Sequence, residues 1–168
     1  DGRFTDYEAD HAGRIRLATG AEGTNTQLFY RASESEPFTK ILETTFRETV
    51  EPLVFTADDA GLWAASNIGR DREAVVRLSL PATREEEVLF EHPEVDVEDV
   101  LWSDARRKLL GVAFTTEKQG YHFFDDDRAA MQAWLEAQLP GVEVAVVDHS
   151  RDETKFLVRT YSDRTLGA

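Results

Sequence analysis

Cysteine is absent from the 168-residue chain, so it holds neither a disulfide nor a thiolate metal site. That absence leaves the compartment open, since periplasmic proteins can also do without thiols. No apolar run approaches the length of a membrane span, and no charged-then-apolar leader is legible. Basic residues are few: 19 Lys and Arg against 33 Asp and Glu give a formal net charge of -14. A surface of that sign repels phosphate backbones, which argues against nucleic acid as a partner and for solubility. It could also draw basic peptides toward a cleft. What the chain does have suffices for a core: 41% hydrophobic residues and three tryptophans.

The dominant pattern is a repeat. Phe55, Trp102 and His149 follow one another at intervals of 47 residues, without a gap. Thr56, Ser103 and Ser150 keep the same register, as do Leu62, Leu109 and Phe156, and Val50, Val97 and Val144 open each unit. The step extends backward: Ile15-Arg16-Leu17 aligns with Leu62-Trp63-Ala64, Leu28-Phe29-Tyr30 with Val75-Val76-Arg77, and Ile41-Leu42 with Val88-Leu89. Within the clearest unit, short β-branched and apolar runs at Pro52–Thr56, Leu62–Asn67, Ala74–Leu80 and Glu87–Glu91 are separated by Asp, Gly, Ser and Pro. Four short strands per repeat of this length are the mark of a β-propeller blade. Leucine-rich repeats need roughly half the period, and helical repeats need an apolar period of about 3.6 residues.

One unit departs from the rule. Asp125-Asp126-Asp127 supplies a helix cap, Pro140-Gly141 a stop, and residues 128–139 between them read as a helix in place of an outer strand. Ala130, Met131, Trp134, Leu135 and Gln138 fall at helical spacing, so that face is expected inward, with Trp134 buried. The helix would cover a blade edge, or offer a docking face to another domain. The expected organisation is therefore all-β: a partial blade over 1–46, a blade over 47–93, a helix-bearing blade over 94–141, and a partial blade over 142–168. Asp1 would fall at or inside an inner strand, and Ala168 would stop where the next strand begins. Ile15–Thr19 and Phe156–Tyr161 would then be without all their strand partners, favouring self-association.

The turn pattern, aromatic-Ser/Thr-x-Asp-x-x-x-Leu, resembles the propeller repeats of TolB-like proteins and of prolyl oligopeptidase-type serine peptidases. Tyr121-His122-Phe123-Phe124-Asp125, the Ala- and Leu-rich segment after it, and Lys155-Phe156-Leu157-Val158-Arg159 ahead of Tyr161-Ser162-Asp163 are more particular. They resemble the amino-terminal propeller of the bacterial acylaminoacyl-peptidase and dipeptidyl-peptidase branch. The resemblance implies a propeller that gates peptide access to an α/β-hydrolase domain, in the bacterial cytoplasm or periplasm. This chain departs from the family by containing no Gly-x-Ser-x-Gly elbow, so hydrolysis by the chain itself is not expected. The alternative is a TolB-like protein-binding module with no enzymatic domain.

Candidate sites each have a plain structural reading. Glu85, Glu86 and Glu87 invite comparison with the paired glutamates that some family members use to hold a substrate amino terminus. At the start of an outer strand, however, charge guards a sheet edge. Asp125, Asp126 and Asp127 suit a hard cation but also suit a helix cap. Asp58, Asp59 and Asp152 fall in hairpin turns, where aspartate serves the local backbone. His11, His92, His122 and His149 lack metal-ligand spacing, and His149 takes the aromatic position of Phe55 and Trp102. Phe55, Trp63, Trp102, Phe123 and Phe124 could form a peptide surface, but aromatics recurring at the repeat period more often pack blades together. No catalytic, metal or cofactor-binding residue is assigned, and substrate-binding residues stay open.

Overall fold

The β-branched runs become strands and the capped segment a helix in the computed structural model, which describes residues 4–163. Strands β1 (Phe4–Ala9), β2 (Ile15–Glu22), β3 (Asn25–Tyr30) and β4 (Thr39–Glu43) form one sheet in that order. Strands β5 (Val50–Phe55), β6 (Gly61–Ser66), β7 (Ala74–Ser79) and β8 (Glu85–Phe90) form a second of the same kind, and both are antiparallel throughout. A third sheet holds β9 (Val97–Ser103), β10 (Lys108–Thr115) and β11 (Gln119–Phe123). Helix α1 (Asp126–Gln138) follows it, at the point in the repeat where β4 and β8 occur in the first two. Antiparallel strands β12 (Glu143–His149) and β13 (Phe156–Tyr161) make a two-stranded sheet. The described residues are nearly all-β, and the two four-stranded antiparallel sheets run in sequence order, an arrangement compatible with a fragment of a β-propeller.

The 47-residue step is a packing step. Val50, Val97 and Val144 are all buried, and so are Thr56 and Ser103 at the far ends of β5 and β9. One expectation is corrected: residues 1–46 carry a complete four-stranded sheet rather than a partial one. Ile15–Thr19 lies in β2, which pairs with β1 on one side and β3 on the other, so it has both partners. The hairpin at Asp10-His11-Ala12-Gly13 supplies the connection: Asp10 N–H donates to Arg14 O at 2.9 Å and Gly13 N–H to Asp10 O at 2.8 Å. The expectations placed on Asp1 and Ala168 lie outside the described residues.

The chain divides into two compact units, Asp1–Val100 with Val112–Tyr121, and Leu101–Gly111 with His122–Ala168. In the first, Leu28 from β3 packs with Val50, Ala64, Ala74, Val76 and Leu78 of the second sheet. Leu17 from β2 packs with Phe55 and Leu62. Each large side chain buried this way is worth about 1.5–3 kcal/mol, so the two sheets are held together mainly by apolar contact. Phe29, fully buried, meets the ring of Phe4 edge-on at 5.0 Å.

The second unit contains α1, and here the sequence pattern misleads. Asp125 caps the helix with extended backbone, its carboxylate accepting Arg128 N–H, and Leu139 N–H closes the other end on the carbonyls of Leu135 and Glu136. Gly141 follows at φ 83°, a left-handed value that suits glycine. The buried face, however, is Arg128 and Gln132, one turn apart, while Trp134 is 61% exposed. Met131 and Leu135 are half-buried beside them, but Ala130, Ala133 and Ala137 are exposed with Trp134, so apolar spacing alone does not mark the face. Hydrogen bonding completes it: Gln132 Nε2 donates to Val144 O on β12 at 2.8 Å, and Arg128 Nη1 donates to Gln132 Oε1 at 3.1 Å. The Arg128 guanidinium also lies over the Phe123 ring at 5.2 Å.

Trp134→Ala is therefore expected to change stability by less than about 0.5 kcal/mol, the range for surface positions. Gln132→Ala leaves a buried carbonyl without its donor and is expected to cost about 1–3 kcal/mol. Urea unfolding of both variants measures the contrast, and a larger loss for Trp134→Ala would reverse the assigned face.

Candidate functional site

The polar side chains that matter gather at two places, the hairpins between first and second strands and the N-terminus of α1. In the hairpins, the repeated hydroxyl is a turn device. Thr56 Oγ1 accepts Gly61 N–H at 2.9 Å and donates to Asp58 Oδ1 at 2.6 Å. Ser150 Oγ likewise accepts Lys155 N–H at 3.0 Å and donates to Asp152 Oδ1 at 2.6 Å. The hydroxyl of Thr56, followed by Ala60 N–H, holds Asp58 below the usual carboxylate range; Ser150 and Thr154 do the same for Asp152. These aspartates serve the backbone, as the sequence suggested.

The first hairpin substitutes a carboxylate for the hydroxyl. Asp10 accepts Ala12 N–H and Arg14 N–H, each at 3.0 Å, and Arg14 Nε at 2.8 Å. Burial pushes Asp10 up, but the hydrogen bonds from Arg14 outweigh it and hold the group low. Beside it, His11 N–H donates to Asp59 Oδ1 at 3.2 Å, and the His11 Nε2 lies 3.1 Å from Phe55 O. Arg16 lies over the Tyr30 and Phe55 rings and donates to Asp59 O at 3.2 Å and to the Tyr30 hydroxyl. Here charged groups fasten β2 to the next sheet's hairpin inside the first unit.

At α1, Asp125 is the centre of a cation cage. Its Oδ1 accepts Arg128 N–H at 3.0 Å; its Oδ2 takes Arg106 Nη1 at 3.0 Å and Lys108 Nζ at 2.9 Å. Lys108 first, then the Arg128 backbone and the Arg106 charge, lower its pKa to about 2. Asp126 and Asp127 lie in the first helical turn, where the helix dipole favours negative charge. The triplet thus acts as a cap, and no group of three or more potential ligands that could hold a metal occurs among the described residues.

The other candidates are dispersed. Glu85 takes a two-pronged contact from Arg70, with the shorter at 2.6 Å, and Glu86 pairs with Arg77 at 3.4 Å. Both lie on β8, at the edge of its sheet, with Glu87 exposed beside them. His92 Nδ1 accepts Glu94 N–H and Val95 N–H, and its ring meets Phe114 at 4.4 Å. His122 meets Phe124 edge-on, and His149 meets Phe156. Phe55 is fully buried, Trp63 is half-buried, and half-buried Trp102 donates from Nε1 to Asp104 at 3.0 Å. Phe123 lies beneath Arg128. Sequence reasoning did not single out Arg16, Arg106, Lys108, Arg128, Gln132 or Glu153. The period held one signal for them: position 106 carries arginine where 59 and 153, one repeat away on either side, carry acids.

No helix among the described residues is long and apolar enough to cross a membrane. Neither the comparison with protein-family models nor that with curated proteins finds a match.

The low pKa of Asp125 sets a pH test. Because the folded value is depressed, its contribution is complete above about 3.8, the ordinary value, and is lost as pH falls through about 2. Asp125→Asn is expected to be less stable than the parent at neutral pH, with the gap closing across that acid window. Urea unfolding of both proteins as a function of pH checks it; a constant gap would show that the charge contributes nothing.

Proposed function

We propose that this chain is the non-catalytic propeller segment of a prolyl oligopeptidase-type serine peptidase, where it gates peptide access to an α/β-hydrolase domain. The observation that carries the reading is the 47-residue repeat folded as four-stranded sheets, with a helix following the third strand of the third repeat. The segments 121–125 and 155–163 supply the family resemblance. A gating role suits what the candidate residues do: hairpin carboxylates, cation cages and buried aromatics all hold strands in place. The hydroxyls that make the best-defined contacts, Thr56, Ser103 and Ser150, are occupied with carboxylates and turns. Its partners under this reading are the hydrolase domain and the peptides that reach it. Nucleic acid and membranes are not among them.

The purified chain is expected to leave aminoacyl and dipeptidyl chromogenic substrates intact and to resist a serine-directed covalent probe. Labelling of a single serine with matching hydrolysis would overturn the reading. The parent gene separates the two family assignments: a hydrolase domain with a serine elbow beyond position 168 supports the peptidase. A stop after the last repeat supports a TolB-like binding module instead.

Self-association is the second expectation. Leu157 in the two-stranded sheet is 60% exposed and Val147 51%, and Phe156 is 39% exposed where its repeat equivalent Leu62 is 1%. A second copy recovers free energy by covering that surface, and two-fold pairing is the commonest result for identical chains. The net charge of -14 opposes contact, so salt is expected to strengthen it. Light scattering over a concentration series at low and moderate salt reads this out; a monomer throughout would rule it out.

A further inference from the structure

Two acids two repeats apart occupy the same strained turn position. Asp59 has φ 55° and Glu153 φ 52°, both in the left-handed region that disfavours side chains with a Cβ. Glycine is the ordinary occupant of such a position. Each residue's own N–H closes its hairpin, Asp59 on Thr56 O at 2.8 Å and Glu153 on Ser150 O at 2.7 Å. Glycine would make that bond equally well. What glycine could not do is reach outward. Asp59 Oδ1 accepts His11 N–H at 3.2 Å, and Glu153 Oε1 accepts Ala105 N–H at 3.3 Å. In both pairs the donor lies 48 residues earlier, at the hairpin of the preceding repeat. Ser103 Oγ adds to the second contact, 2.7 Å from each oxygen of Glu153.

We infer that in the second and fourth hairpins this turn position is a docking key: its carboxylate, aimed by the left-handed backbone, fixes the hairpin in register on the one before. The third repeat shows the converse. Position 106 is arginine, which has no acceptor; the left-handed residue there is its neighbour Arg107 at φ 46°, and Arg106 turns to Asp125 instead.

Glycine substitution separates strain from docking. Glu153→Gly relieves the backbone and removes the carboxylate, whereas Glu153→Gln keeps an acceptor oxygen on the strained backbone. Amide hydrogen exchange on the full chain reads the Ala105 N–H directly. Exchange is expected to accelerate by about tenfold in the glycine variant, while the amide of residue 153 keeps its turn bond. The glutamine variant is expected to stay within about threefold of the parent. Asp59→Gly and Asp59→Asn, read at His11 N–H, repeat the experiment in the other unit, so it survives if one glycine variant does not fold. Unchanged protection of Ala105 and His11 in folded glycine variants would overturn the key, because the strained turn would then serve its own hairpin alone.

Discussion

A hydroxyl group with almost no access to water sits at the end of the first strand in the second and third sheets, and the hairpins turn around it. Thr56 is 5% exposed and Ser103 0%. A buried hydroxyl left unpaired costs about 1–3 kcal/mol, so the residues around it must supply both a donor and an acceptor. That requirement is met by a backbone N–H from the same hairpin, five residues on for Thr56 and Ser150 and three for Ser103, and by a carboxylate that accepts the hydroxyl's hydrogen bond. Thr56 with Asp58, and Ser150 with Asp152, meet it within their own hairpins. Ser103 has Ala105 at the corresponding place and finds its acceptor in Glu153, from the hairpin of the next repeat. Where the first hairpin has Asp10 instead, the carboxylate accepts the N–H groups and needs an arginine to balance it. The turns at Asp10 and Thr56 join the first and second strands of the sheets whose apolar faces meet.

The strands were legible because the period and the β-branched runs agree with each other. The runs at 52–56, 62–67, 74–80 and 87–91 anticipate β5 to β8 to within two residues. The completeness of the first sheet was harder to read. β1 is Phe-Thr-Asp-Tyr-Glu-Ala, whose polar alternate positions weaken the apolar signal, and its hairpin is one residue shorter, so that the step of 47 from Thr56 falls on Ala9 while Asp10 takes the hydroxyl's place. The helix was legible in position, through Asp125 and Pro140-Gly141, but not in orientation. Apolar spacing ranks faces by transfer energy, and on α1 an amide and a guanidinium outrank tryptophan because each meets a specific partner. Such a preference depends on where Val144 O and the Phe123 ring lie, which no local window of sequence contains.

Arginine 106 links the two departures of the third repeat from its neighbours. The position that carries an acid in the second and fourth repeats carries a cation here, and that cation is spent on the cap of α1. Lys108, at the start of β10, joins it on the same carboxylate. The helix in place of a fourth strand and the arginine in place of an acid thus meet at one carboxylate, that of Asp125. A helix beginning after β11 needs its N-terminal aspartate held, and the nearest cations are those of the adjacent hairpin.

The spacing of the hairpin contacts bears on how quickly such a chain can fold. His11 with Asp59 and Ala105 with Glu153 each span 48 residues. The entropy lost in closing a loop grows only with the logarithm of its length, so each of these closures carries the same modest kinetic penalty. The two contacts share no residue and join different pairs of repeats, so neither closure has to wait for the other. A chain tied in this way has two separate places at which long-range order can begin.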